Sequence, residues 1–204
     1  MRISKIINRF LNLILYLCKK KLKMAKSSKP NKKVVELLKK LNSPEPKDII
    51  NAIKSLKVSG DKTVIEPLVK LYTTTQNNAI KNEISDLLNS LKSTQAPQEV
   101  IKCLNNKKYD TAKTMLLSSI WNSNLDYTLY LDDIVKAATQ GTMMDAMECL
   151  TIIENMEGTL DEQKIMDPLI NLKSYLVENM SNDYQKNKLL KEVAQILTEI
   201  NDSL

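Results

Sequence analysis

The 204-residue chain has no histidine, one tryptophan, one phenylalanine and only three glycines. Without histidine, the commonest general base, the Ser-His and Cys-His nucleophile pairs and the usual zinc ligand are excluded. Three glycines are too few for a glycine-rich phosphate cradle. With six prolines beside them, they are also too few for the many tight turns of a sheet protein. Cys18, Cys103 and Cys149 are far apart and odd in number, as reduced thiols of a cytoplasmic protein would be. Cys103 and Cys149 lie among apolar residues ("EVIKCL", "AMECL") and read as core fillers. From this inventory we expect no enzyme, no cofactor, no metal and no small-molecule substrate.

What is present is a segregated charge pattern beneath the overall +6. Residues 1–33 hold 11 Lys and Arg and no acid, residues 34–122 hold 13 basic and 9 acidic residues, and residues 123–204 hold 6 and 15. A basic stripe along the whole chain is therefore absent, which argues against phosphate-backbone binding over its length. A smaller basic groove remains conceivable in 34–122, from Lys39, Lys40, Lys54, Lys57, Lys107, Lys108 and Lys113, but it has little aromatic interleaving for base stacking. Nucleic acid is thus a disfavoured partner.

Residues 1–32 form a basic amino-terminal segment. Its apolar stretch from Ile6 to Cys18 is too short to span a bilayer comfortably. It also lacks a small-residue cleavage site and runs directly into Lys19–Lys21. Two readings stay open: residues 1–23 rest as a basic amphipathic anchor on the cytoplasmic face of an anionic membrane, or translation starts at Met24. Residues 25–32 read as a flexible lead-in under both.

From residue 33 to 204, apolar residues recur at spacings of three and four, and nothing alternates with period two, which predicts an all-α chain. "NNAIKNEISDLLNSLK" puts Ile80, Ile84, Leu87, Leu88 and Leu91 on one face. Asp61 is placed to cap the helix through Tyr72, Gly158 to end one, and "TLDE" (159–162) to open the next with a capping box. The helices group as hairpins at roughly 33–58, 61–93, 97–122, 126–157 and 161–202. A recurring unit of this size is the pattern of an α-solenoid, in which each hairpin buries its apolar face against its neighbours.

Two prolines stand inside helical patterns, in "IEPLVKLY" (65–72) and "MDPLINLK" (166–173). Pro67-Leu68 and Pro168-Leu169 share the pattern [Ile/Met]-[Glu/Asp]-Pro-Leu-[Val/Ile]-x-Leu. In this the chain resembles HEAT-repeat proteins, whose first helix typically carries a mid-helix proline followed by leucine and bends there. The segment "SSIWNSNLDYTLYLDDIV…DAMECLTIIENMEG" (118–158) further resembles small HEAT-repeat-domain proteins of Bacteroidetes. The resemblance implies a HEAT-like or ARM-like superhelix of about five antiparallel hairpins, with Pro67, Leu68, Pro168 and Leu169 as repeat markers. The other three units lack the proline.

The candidate surface lies in the acidic part of the chain. Trp121 sits at a helix end beside Tyr127 and Tyr130, either closing the gap between adjacent units or standing as an aromatic anchor for a partner. Residues 126–167 carry Asp126, Asp132, Asp133, Asp145, Glu148, Glu154, Glu157, Asp161, Glu162 and Asp167 against Lys136 and Lys164. They read either as a solvated face or as a groove steering a basic protein partner. The expected partner-binding set is Trp121, Tyr127, Tyr130, Asp132, Asp133, Asp145 and Glu148, on a scaffold module whose alternative role is a peripheral membrane adaptor.

Overall fold

The computed structural model describes residues 32–156, 160–179 and 183–204. The two readings of residues 1–23, together with Cys18, Glu157, Gly158 and Thr159, lie outside the described residues. Among the described residues all regular structure is helical. The α-helices are α1 (Lys32–Lys40), α2 (Pro46–Ser59), α3 (Ile65–Thr74), α4 (Asn78–Asn89), α5 (Ala96–Leu104), α6 (Lys113–Asn122), α7 (Leu131–Gln140), α8 (Met143–Glu154), α9 (Glu162–Glu178) and α10 (Tyr184–Asp202). Short 3-10 turns at Lys62–Val64, Lys107–Ala112 and Thr128–Tyr130 lead into α3, α6 and α7. None of the described helices is long and apolar enough to cross a membrane.

Local sequence explains most boundaries. Pro46 and Pro97 occupy the first turns of α2 and α5, where the missing N–H has no intrahelical acceptor in any case. The Asn77 side chain accepts from the backbone N–H of Ala79 and Ile80 and so opens α4. Asp61 caps the 3-10 turn before α3 rather than an α-helix, accepting from Thr63 N–H at 2.8 Å. At the start of α9 the cap is Asp161, which accepts from Lys164 N–H at 3.0 Å. The opening expected from "TLDE" thus moves to a carboxylate that was read only as part of the acidic face.

Helices consecutive in sequence pack in pairs, α1 with α2, α3 with α4, α5 with α6, α7 with α8 and α9 with α10. Between pairs, α2 packs on α4, α4 on α6, α6 on α8 and α8 on α10. Among the first helices of the pairs, α3 packs on α5 and α7 on α9. The core follows this succession: Ile53 and Leu56 from α2, Ile84 and Leu88 from α4, Leu116 and Leu117 from α6, Cys149 from α8 and Leu190 from α10 are almost wholly buried. Leu91 lies beyond the end of α4 and is only partly covered. Cys103 and Cys149 are buried free thiols, and burial pushes each up to about 12.

The two prolines that share a motif do not share a position. Pro67 is the third residue of α3 and half-buried, so it belongs to a first turn and has no helix interior to bend. Pro168 is the seventh residue of α9 and buried, with no N–H to give the carbonyl one turn earlier. Leu68 and Leu169 are both buried, but Val69 is fully buried while its counterpart Ile170 is 53% exposed. Ile65 is likewise buried and its counterpart Met166 is exposed. As a pair of equivalent bending markers, Pro67 and Pro168 are therefore corrected: α3 starts two residues before its proline and α9 six residues before, and the matched neighbours differ in burial.

Candidate functional site: the Trp121 cleft

α6 ends at Asn122, and Asn124 turns the chain with a positive φ of 51°, a conformation Asn tolerates better than most residues. Asp126 then accepts from the Thr128 backbone N–H at 2.9 Å and the Thr128 hydroxyl at 2.7 Å, which sets the 3-10 turn leading into α7. These two hydrogen bonds hold the Asp126 carboxyl below the usual carboxylate range. The turn and the end of α8 enclose a cleft of about 260 Å³ whose walls include Trp121, Leu125, Asp126, Tyr127, Asn155 and Met156.

Trp121 is partly covered by the core, and its indole Nε1 donates to Glu148 Oε2 of α8 at 2.7 Å. It therefore joins α6 to α8 while one side of the ring borders the cleft. Tyr130 is also partly buried, its ring meeting Tyr127 edge-on with centroids 6.5 Å apart.

Tyr127 is only 2% exposed and belongs to the core, which corrects its assignment as a contact residue. Its hydroxyl makes no hydrogen bond of ordinary geometry among the described residues. Burial pushes the phenol above its usual range, and neighbouring Ser123, whose own hydroxyl donates to the Ile120 carbonyl at 3.1 Å, offsets part of that rise.

The acidic set is reassigned in the same way. Asp145 is 2% exposed and is the N3 residue of a capping box. Its carboxylate accepts from the Thr142 N–H at 2.6 Å, the Thr142 hydroxyl at 2.9 Å and the Thr114 hydroxyl at 2.6 Å. Glu148 is half-buried and engaged by Trp121. Asp133 accepts from Asn105 Nδ2 at 2.7 Å, and Asp132 accepts from Asn171 Nδ2 at 2.9 Å while pairing with Lys136. These carboxylates bridge neighbouring helices. Asp126, Glu154, Glu162 and Asp167 are the exposed acids, with Asp161 paired to Lys164.

Sequence reasoning missed the donors that face those carboxylates. Thr142 was readable, because "TMMD" is a threonine with an acid three residues later at a helix start. Thr114, Asn105 and Asn171 carry no such local signal, since they meet their partners 31, 28 and 39 residues away. Lys186 was missed too: it is 5% exposed and its ammonium donates to the Thr139 and Gly141 carbonyls at 2.7 Å each. A cation there complements the carboxyl end of α7.

Of the lysines considered for a basic groove, Lys54 pairs with Glu83 at 3.2 Å and Lys113 with Asp110 at 3.4 Å, whereas Lys39, Lys40, Lys57, Lys107 and Lys108 are exposed. Among the described residues, no three Cys, Asp or Glu side chains converge as metal ligands would. No family model, no curated protein and no solved structure matches the chain.

Proposed function

We propose that the chain is a non-catalytic cytoplasmic scaffold, a HEAT-like α-solenoid of five helical hairpins, and that a basic segment of a partner protein binds in the Trp121 cleft. The solenoid reading is supported by the succession of second helices, each packed on the one before and the one after, as stacked hairpins require. The buried free thiols suit a reducing compartment.

The observation that carries the binding reading is the cleft itself. Its walls include the Trp121 indole, which is hydrogen-bonded to Glu148, apolar Leu125 and Met156, and Asp126. A fixed aromatic with adjacent apolar contacts and one anionic group fits a lysine or arginine side chain, whose stem packs on the ring while its head meets the carboxylate. The partner then associates at a rate that falls as salt rises.

The test is affinity purification with the full chain, followed by mass spectrometry, repeated with an Asn155→Arg variant. Asn155 is exposed and lines the cleft, so the variant adds a cation where the partner's cation would sit without opening the core. A basic protein should be captured by the parent chain, lost by about 10-fold in the variant, and released by added salt. Capture of the same basic proteins by both chains, or capture of them that is insensitive to salt, would refute the assignment.

A further inference from the structure

We infer that a second docking groove, between α1 and α3, takes a short segment of another protein in which apolar side chains are flanked by carboxylates. The groove has a volume of about 640 Å³ and is formed by the end of α1, one face of α3 and the turn before α6. Its floor is apolar: Leu41 and Tyr109 are buried, and Leu38, Leu71 and Pro67 are half-buried. α1 rests on α2, while α3 has its main packing on α4, α5 and the turn before α6, which leaves the α1 side of α3 open.

Charge commits the groove to one kind of occupant. Lys70 and Lys108 line it, and Lys39, Lys40 and Lys107 stand beside the lining residues on the same elements. All five are exposed, and among the described residues none of them forms an ion pair. Among the described residues lining the groove the one acid is Glu66, which accepts from the Tyr109 hydroxyl at 3.1 Å. An incoming carboxylate thus meets lysines that pair with no acid among the described residues, while leucine-like side chains cover the apolar floor.

A polynucleotide fits worse. Among the described residues lining the groove the one aromatic, Tyr109, is buried and bonded rather than open for stacking. The site is separate from the Trp121 cleft in both its residues and its charge.

The probe is a phage-displayed library of random 12-residue peptides, panned on the full chain and on a Lys70→Glu/Lys108→Glu variant shown by its melting curve to be folded. Peptides enriched on the parent should combine Leu or Ile with Asp or Glu. Their synthetic forms should lose about 10-fold in affinity on the double variant and keep it on Asn155→Arg.

The inference is overturned if no peptide combining Leu or Ile with Asp or Glu is enriched, or if such peptides bind the double variant equally well. Cross-links from Lys70 or Lys108 to residues 1–31 would overturn it by making the chain itself the occupant. A dimer in light scattering that the double variant dissolves would do so by making a second copy the occupant.

Discussion

Gly141 and Asp145 show how closely single residues are fitted where α7 passes into α8. A β-carbon at Gly141 would collide with the Asp145 Oδ2 atom and approach the Ala137 carbonyl to 2.7 Å. The glycine is there for space, since its φ of −96° is open to any residue. Gly141→Ala should displace the capping carboxylate and cost about 1–3 kcal/mol, as overpacking does. Asp145→Ala removes the acceptor of three donors and should cost about 2–3 kcal/mol, combining a lost cap with buried groups left unpaired. Urea denaturation measures both. A change within about 0.5 kcal/mol for Asp145→Ala would mean that the carboxylate is free for other work, as the sequence alone suggested. The double variant should lose less than the sum, because both changes strike one group.

At the scale of the helix, the prolines separate what was legible from what was not. Pro67 in a first turn restricts the unfolded chain without straining the folded one, so Pro67→Ala should destabilise by about 0.4–1 kcal/mol. Pro168 lies within α9, and Pro168→Ala should stabilise instead. The gain should be less than the roughly 3 kcal/mol of an interior helix proline, because the buried ring leaves a gap. Denaturant midpoints of the two variants moving in the same direction would contradict these placements.

The existence of nearly every helix could be read from periodicity, as in the stripe Ile80, Ile84, Leu87 and Leu88 that α4 buries. Starts and stops were less legible, because a 3-10 turn before α3 moves the helix start to Ile65 and turns an interior proline into a terminal one. The site was least legible. A run of acids looks the same in sequence whether it faces water or the threonine and asparagine side chains of a neighbouring helix: "TMMD" marks Asp145 as a capping acid, but only tertiary packing brings it the Thr114 hydroxyl.

Across the whole molecule, burial is uneven from one end to the other. α1 contributes one buried residue, Val34, and packs on α2, whereas α6 buries Met115, Leu116, Leu117, Ser119 and Ile120 between α4 and α8. Local opening follows such differences in buried contact. Native-state hydrogen exchange should find α1 opening at a lower free energy than α6, with α1 amides exchanging while α6 stays protected. Equal protection of the two helices would show that the chain opens only as one unit. Because α1 forms one wall of the Lys70 groove, its opening would also remove that groove, so a bound acidic peptide should slow exchange in α1 first.

The donors Asn105, Tyr109, Thr114 and Trp121 all belong to the third hairpin and the turn within it, and their acceptors are Glu66 in the second hairpin and Asp133, Asp145 and Glu148 in the fourth. The third hairpin therefore acts as a keystone. Repeat arrays ordinarily tolerate the loss or gain of whole units, since one interface resembles the next. Here, joining the second hairpin directly to the fourth would leave Glu66, Asp133, Asp145 and Glu148 without these donors, Asp145 keeping only those of Thr142. Dissimilar side-chain pairs thus fix the order of the hairpins, and the fifth is tied to the fourth in the same manner, Asn171 to Asp132 and Lys186 to the Thr139 and Gly141 carbonyls.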